Sequence, residues 1–287
     1  MTGYDPDLLS ELLDIAERGA RAAVELVSDH RPAALELDTK SSATDMVTQM
    51  DRGAEAAIRA VIAESRPSDV VMGEEMGDGG GPAVDGATDD GHAADGGASG
   101  QVTWWVDPID GTTNYVYDHP GWNVSVAAAI GTTVVAAVVA DPTHGRTYTA
   151  TLGGGARCSD RPDPLVLAEP PALDHALVAT GFDYQADKRH RQGLVVAALL
   201  PRVRDIRRMG AAALDLCSVA AGRVDAYYEA GLSTWDYAAG ALIATEAGAR
   251  VGSIDGGPPR PGSVMAAHPV LFEQLAALLD ELDRGAF

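Results

Sequence analysis

Apolar residues recur at intervals of three and four along Leu9, Leu12, Leu13, Ala16, Ala20, Ala23 and Val27. That is the stripe of an amphipathic helix, which Pro6 opens behind Asp5 as a cap. Gly19 lies beside the stripe and costs the helix about 1 kcal/mol relative to alanine, too little to end it. A second helical pattern runs from Met50 to Glu64 with Ala54, Ala57, Ile58 and Val61 facing inward. Asp69 to Gly73 reads as a short strand that stops at the glycine, with Glu74 and Glu75 directly after it. Gly77 to Gln101 shows no periodicity, is rich in glycine and aspartate, and lacks lysine, arginine and aromatic residues. Such a segment cannot bury enough apolar area to fold by itself and reads as a mobile acidic loop. It lacks the fixed spacing of a calcium-binding loop.

From Val102 the pattern turns to strands. Val102 to Val106 is a buried strand ending at Asp107, and Trp122–Ile130, Thr133–Ala140 and Arg146–Ala150 suit an antiparallel meander. Beyond residue 150 strands and helices alternate. Strands fall at Leu177–Gly181, Asp205–Arg208, Val224–Tyr228 and Ser263–Ala267. Helices fall at His190–Leu200, Ala211–Ala221, Asp236–Ala247 and Val270–Leu282. The first half therefore reads as two helices beside an antiparallel sheet and the second as an α/β unit. Gly153-Gly154-Gly155 marks the joint, giving expected domains of 1–152 and 153–287.

Charge narrows the function. Lys and Arg total 21 against 42 Asp and Glu, a formal charge of −21. That field repels nucleic acid and anionic membrane and leaves room for a small anionic ligand only if cations are bound first. Two cysteines, Cys158 and Cys217, form no zinc or disulfide pattern, and Cys217 reads as a core thiol. The first fourteen or so residues lack the basic and apolar runs of a signal peptide, and Val124–Ala140 is interrupted by Gly131. A soluble cytoplasmic protein is expected. The histidines form no compact ligand set, and neither a GxSxG elbow nor a nucleotide-binding glycine loop occurs.

The carboxylates stand out by position. Asp107 and Asp110 lie in Asp107-Pro108-Ile109-Asp110-Gly111-Thr112, where a spacing of three puts both on one side of a helix-like turn. The Ile109 carbonyl is able to point the same way, and Gly111 lets backbone approach a ligand. No lysine or arginine lies in this turn, so the pair suits either backbone amides or a hard divalent cation such as magnesium or manganese. Glu74, also at a strand end, favours the cation. Asp236 opens a helix as an N-cap, a ligand, or both; Asp51 is a cap or a supporting group; Glu229 is a solvated strand-end carboxylate or reads a polar ligand.

Asp107–Thr112 and Trp235-Asp236-Tyr237-Ala238-Ala239-Gly240 resemble the two signatures of the inositol monophosphatase family. Asp45–Asp51, Gly73-Glu74-Glu75 and Asp225–Glu229 match as well, and the resemblance runs from about residue 8 to 284, nearest to actinobacterial members. It implies an α+β fold layered as an α-β-α-β-α sandwich. Glu74, Asp107, the Ile109 carbonyl, Asp110 and Asp236 would ligate two or three Mg2+, with Mn2+ as a substitute. Glu74, Thr112 and Asp51 would serve catalysis. Asp110, Gly111, Thr112, Gly210, Ala211, Ala212, Glu229 and Asp236 would meet the substrate, a small phosphorylated polyol, with Ala211 standing where the family has threonine or serine. Lys40 matches a family lysine. The resemblance also implies lithium inhibition and a homodimer. Inositol 1-phosphate is the leading substrate. Histidinol phosphate, a sugar bisphosphate and 3′-phosphoadenosine phosphate are alternatives, and a protein-binding scaffold is the competing class.

Overall fold

The computed structural model describes residues 3–29, 31–32, 37–39, 46–77 and 101–285. The expectations for Lys40 and for the acidic loop between Gly77 and Gln101 lie outside the described residues.

The chain begins with α1 (Pro6–Asp29), a two-stranded pair β1 (Leu37–Thr39) and β2 (Met46–Thr48), and α2 (Gln49–Ser65). Next come β3 (Val70–Gly73), β4 (Val102–Asp110), the short α3 (Thr112–Val116), β5 (Asn123–Ile130), β6 (Thr133–Asp141), β7 (Arg146–Thr151) and β8 (Gly155–Cys158). These strands form a six-stranded sheet in the order β3-β4-β5-β6-β7-β8. It is antiparallel apart from the parallel pair β3 and β4. The rest of the chain is β9 (Leu177–Thr180), α4 (Ala186–Leu199), β10 (Asp205–Arg207), α5 (Ala212–Ala220), β11 (Ala226–Glu229), α6 (Thr234–Glu246), β12 (Arg250–Gly252), β13 (Val264–Ala267) and α7 (Pro269–Gly285). Its strands form a five-stranded mixed sheet, β10-β9-β11-β13-β12.

Four apolar clusters define five layers. Leu12, Ile15 and Ile58 of α1 and α2 pack on Trp104, Val124 and Val126 on one face of the larger sheet. Its other face, through Ala127, Ala137 and Tyr148, meets Leu214 and Cys217 of α5 and Ala239 and Ile243 of α6. The same two helices turn Leu216 and Ala244 toward Tyr227 and Val264 of the smaller sheet. Tyr228 and Met265 on that sheet's far face are covered by Leu199 of α4 and by Phe272 and Leu275 of α7. The molecule is thus an α-β-α-β-α sandwich whose middle helical layer is common to both sheets. Each layer follows from pattern: strands buried on both faces read as unbroken apolar runs, and a helix buried on both sides is apolar nearly all round.

Several local expectations shift. The inward stripe of α2 is Met50, Asp51, Ala54, Glu55, Ile58 and Ile62, so two carboxylates face the interior and Ala57 and Val61 are half-buried. Ile15 joins the α1 stripe and Leu13 is half-buried. Gly19 has a packing reason: a Cβ there would stand 3.3 Å from Ile58 Cγ2, so it lets α1 cross α2 closely. Strand β4 runs on to Asp110 instead of ending at Asp107, and α4 begins four residues before His190, at Ala186. Strands β8 and β12 were not expected; β8 extends the larger sheet past the Gly153–Gly155 turn. Cys217 is a buried core thiol, as expected.

The α5–α6 contact is close at Gly240. A Cβ on Gly240 would lie 2.8 Å from Leu216 Cβ and 3.0 Å from the Ala213 carbonyl oxygen. Gly240→Ala gains about 1 kcal/mol of helix propensity but forces the helices apart, and overpacking of this kind costs about 1–3 kcal/mol. We expect a net loss of stability by urea unfolding; a more stable variant would show that the two helices separate freely.

Candidate active site

The larger sheet aims the paired aspartates by an irregularity. In the β4–β5 ladder Asp107 pairs with Ser125 and Asp110 with Asn123, so three steps on β4 match two on β5. One extra residue has been inserted, a β-bulge, at the point where Pro108 has no N–H to give the ladder. Residues three apart in a regular strand face opposite ways; the bulge returns Asp107 and Asp110 to the same face as Ser125 and Asn123. That face looks toward the middle helices, since Ser125 Oγ donates to the Trp235 carbonyl of α6 at 3.3 Å. The aspartates share a side as expected, through a bulged strand and not a helical turn. Ile109 between them turns its side chain into the opposite core. Glu74 joins from β3, which pairs with β4 in parallel up to Gly73 opposite Val106. Glu74 N then donates to the Val106 carbonyl at 3.2 Å, so Glu74 and Asp107 leave the same end of adjacent strands.

Helix N-termini hold the acids in place. Asp110 accepts from Ala212 N at 3.2 Å and Ala213 N at 2.9 Å, the first amides of α5, and from Asn123 Nδ2 at 2.7 Å. Asp236 is not the N-cap of α6: Ser233 is, and Asp236 sits in the first turn and accepts from Ser233 N at 2.7 Å. Asp51 does the same for α2, accepting from the N-cap Thr48 N at 2.8 Å. Its other oxygen accepts from Thr112 Oγ1 at 3.2 Å, and that hydroxyl also lies 3.0 Å from the Ile109 carbonyl. Asp107 accepts from Ile109 N at 3.1 Å and is 2% exposed.

Gly111 begins α3 in the left-handed conformation, with φ of 88°. A Cβ there would stand 3.0 Å from the Gly121 carbonyl oxygen, 3.1 Å from that of Gly210 and 3.2 Å from Ala211 Cβ. Asn114 fixes this junction by donating to the carbonyls of Gly121 at 2.7 Å and Met209 at 2.8 Å. The structure therefore brings Gly111, Thr112, Gly210, Ala211 and Ala212 to one place, around Asp110.

Glu229 ends β11 and accepts from Tyr227 Oη at 2.8 Å. It fills the space where a Cβ on Gly181 would be, 2.0 Å from its Oε2. Burial pushes Glu229 up to about 7, against the Tyr227 hydrogen bond and the charge of Arg208, while the charge of Asp110 raises it further. Burial likewise pushes Asp110 up to about 6, opposed by its bonds from Asn123, Ala213 and Ala212 and by Arg208. Burial, and then the charges of Glu74 and Asp110, raise Asp236 well above the carboxylate range. Four acids from both sheets and the middle layer thus feel one another.

Sequence reasoning missed Asn123, Asp215, Arg208 and Glu55. Asp215 lies in the first turn of α5 with both carboxylate oxygens buried and without a hydrogen-bond partner. Burial, and then Glu229 and Asp110, raise it well above the usual range, and Arg208 opposes this. The available signal was an acid inside the otherwise apolar run Ala211–Leu216. A separate cavity of about 630 Å3 lies behind Tyr228, between α4 and α7, and is lined by none of Glu74, Asp107, Asp110 or Asp236.

Among the described residues no three His, Cys, Asp or Glu side chains already converge as a ligating cluster. The donor chemistry nevertheless fits a hard divalent cation. Buried carboxylates press their neighbours toward protonation, and the acids set around Asp107 and Asp110 offer oxygen alone.

The Inositol monophosphatase family model matches residues 8–284. The chain belongs to that family. Inositol-1-monophosphatase of Mycobacterium bovis is 44% identical over 272 residues, 93% of this chain and 89% of the relative. Nus factor SuhB of Escherichia coli K12 is 38% identical over 277 residues, 94% of this chain and 97% of the relative. The solved structure of Mycobacterium tuberculosis SuhB superposes with a TM-score of 0.73 at 35% identity, covering 98% of each chain. An inositol monophosphatase from Anabaena gives 0.78 at 28% identity, covering 96% of this chain and 97% of that one. The match carries family-level support for inositol-monophosphatase-like hydrolysis, and it agrees with the layered architecture.

The raised carboxylates of this family member make its stability depend on pH. With Asp110 at about 6 and Glu229 at about 7, the native protein holds protons that the unfolded chain has released. The stability these groups allow is complete below the ordinary carboxylate range and is lost as pH rises through those values. We expect chelator-treated protein to lose stability between about pH 5 and pH 8, and Asp110→Asn to show a shallower loss. Unfolding midpoints across that window check this; identical slopes would show that Asp110 carries no proton in the fold.

Proposed function

We propose that the protein is a magnesium-dependent phosphomonoesterase acting on inositol 1-phosphate. The observation that carries this reading is the pair of buried acids Asp107 and Asp110 on a bulged strand, with the half-buried Asp236 at a helix start and Glu74 beside them. The substrate follows the activity for which the mycobacterial relatives, at 44% identity, are named. Glu74, Asp107, the Ile109 carbonyl, Asp110 and Asp236 would hold two or three Mg2+, or Mn2+ in its place. When bound, such a cation acidifies water and neutralises charge on phosphoryl oxygens. The protein's own share is positioning. Thr112 Oγ1 has one proton and two inward acceptors, Asp51 Oδ1 and Ile109 O, so it donates inward and turns its lone pairs to a water proton. Asp51 acts through that hydroxyl, and Glu74 is the second carboxylate for the water. Gly111 and Thr112 amides would meet phosphate oxygens. Gly210, Ala211 and Ala212 would border the ester, and Glu229 would accept from a ring hydroxyl. A cytoplasmic homodimer with a small-molecule substrate completes the reading.

A scaffold role is the second reading, favoured by the name of the Escherichia coli relative, a Nus factor. Docking of a partner gains nothing from carboxylates buried this deeply, and we prefer hydrolysis. Phosphate release from inositol 1-phosphate, histidinol phosphate and glycerol 2-phosphate, with and without Mg2+, separates the readings. Turnover of none would remove the enzyme; preference for histidinol phosphate would remove the inositol assignment.

Asp107→Asn should keep the fold and lose most activity, with calorimetry showing strongly weakened Mg2+ binding. Wild-type affinity with wild-type turnover would sink the ligand assignment. Glu229→Gln should act on specificity. A charge-assisted hydrogen bond is worth about 1.5–3 kcal/mol, so kcat/KM on inositol 1-phosphate should fall by roughly 10- to 150-fold. Glycerol 2-phosphate, which lacks the ring, should suffer less. Equal losses on both esters with weakened Mg2+ binding would move Glu229 to the metal.

A further inference from the structure

Glu55 lies one turn beyond Asp51 on α2 and is fully buried. Its two oxygens reach out of the helix to the turn after β3. Oε2 accepts from Glu75 N at 2.8 Å and Oε1 from Met76 N at 3.2 Å. Arg59, one turn further along α2, donates Nε to Glu55 Oε1 at 2.8 Å and Nη2 to the Gly77 carbonyl at 2.5 Å. Gly77 O also accepts from Gly73 N at 3.3 Å, which closes the turn on itself. Gly73 is required by space: a Cβ there would stand 2.1 Å from Glu55 Oε1 and 2.6 Å from Oε2. The carboxylate thus packs against the strand end, and three backbone groups of residues 75–77 answer to one ion pair on α2. The first residue of that turn is Glu74, whose amide is tied to Val106 beside Asp107.

We propose that Glu55, braced by Arg59, is the positioning residue that sets where Glu74 presents its carboxylate to the divalent cation. This rests on the reading that Glu74 ligates that cation. Glu55 itself is no ligand, because amides and a guanidinium occupy both of its oxygens. The device has a physical rationale. Glu74 follows a strand only four residues long, and a ligand on an unbraced turn would spend most of its time away from the ion. Bracing from α2 ties the turn to the same helix that carries Asp51, the carboxylate behind Thr112.

The contact can be broken from either side. Glu55→Gln keeps the shape but sets an amide NH2 against N–H donors, whereas Gly73→Ala drives a methyl group into the carboxylate. Supporting partners of metal ligands typically contribute 10–100-fold to affinity, so both variants should weaken Mg2+ binding by about that factor in calorimetric titration of the full chain. Hydrogen exchange at the Glu75 and Met76 amides should accelerate in the metal-free protein. Glu55→Asp, which keeps the charge on a shorter stem, should recover part of the affinity. Urea midpoints report whether each variant folds, and Arg59→Gln serves if both of the others fail. Faster exchange with wild-type Mg2+ affinity would overturn the proposal, since the clamp would then be structural only. Unchanged exchange would overturn it as well, because Glu55 would not be holding the turn. Absence of Mg2+ binding in the wild type is a distinct outcome that defeats the magnesium reading itself.

Discussion

Like charges buried close together must be held by something, and among the described residues backbone amides do much of the holding. Asp110, Asp236 and Asp51 each accept a backbone amide at the start of a helix, and Asp107 accepts one within its own bulge. Amides at a helix N-terminus carry partial positive charge that is fixed in place and has no conformational freedom to lose. They orient carboxylates without neutralising them. Burial consequently still raises the pKa values of Asp110 and Asp236, and positive charge brought beside them would relieve it. Arg208 is the cation that opposes the shift at Asp110, Asp215 and Glu229, and it stands at the exposed edge.

The layered architecture follows the same constraint. Three helix starts can converge on one point only if helices come from more than one layer, and α2, α5 and α6 do so from the outer and middle layers. The bulge at Pro108 then turns two strand residues toward the middle layer, where α5 begins. A regular β4 would send Asp107 and Asp110 to opposite faces, one of them into the apolar cluster of α1 and α2, at the cost of an unpaired buried charge. The glycines at 111 and 210 belong to this convergence: the first has a left-handed backbone and almost no space for a side chain, because segments from both halves of the chain meet over it.

Long periodic segments were legible in the sequence: the α1 stripe, the meander of β5 to β7 and the closing α7 all fall where their apolar spacing puts them. The acids around Asp107, Asp110 and Asp236 were legible because each sits at a punctuation point between elements. Short strands were not. Arg250–Gly252 has a single valine between an arginine and a glycine, and its pairing is imposed by β13 rather than by its own pattern. The bulge was invisible because Asp-Pro-x-Asp reads equally well as a turn, and only the register with β5 decides. Glu55 hid for a related reason. A glutamate four residues before an arginine on a helix reads as a solvated i, i+4 pair, and its inward direction depends on the turn that α2 happens to cover.

In the proposed reading, chemistry and selectivity would occupy different sheets. Glu74, Asp107 and Asp110 stand on strands of the larger sheet or directly after them, locked by the bulge and by the parallel β3–β4 edge, where small displacements would disturb every acid at once. Glu229 ends a strand of the smaller sheet, Arg208 follows β10 of that sheet, and Asp215 lies on the helix between them. These groups feel the first set through charge. Changing a residue there, as with Ala211 where the family resemblance implies a hydroxyl, would leave in place the strand that carries the paired aspartates. On the proposed reading, that division would let one fold keep its hydrolytic apparatus while substrate preference changed among the residues between β10 and β11.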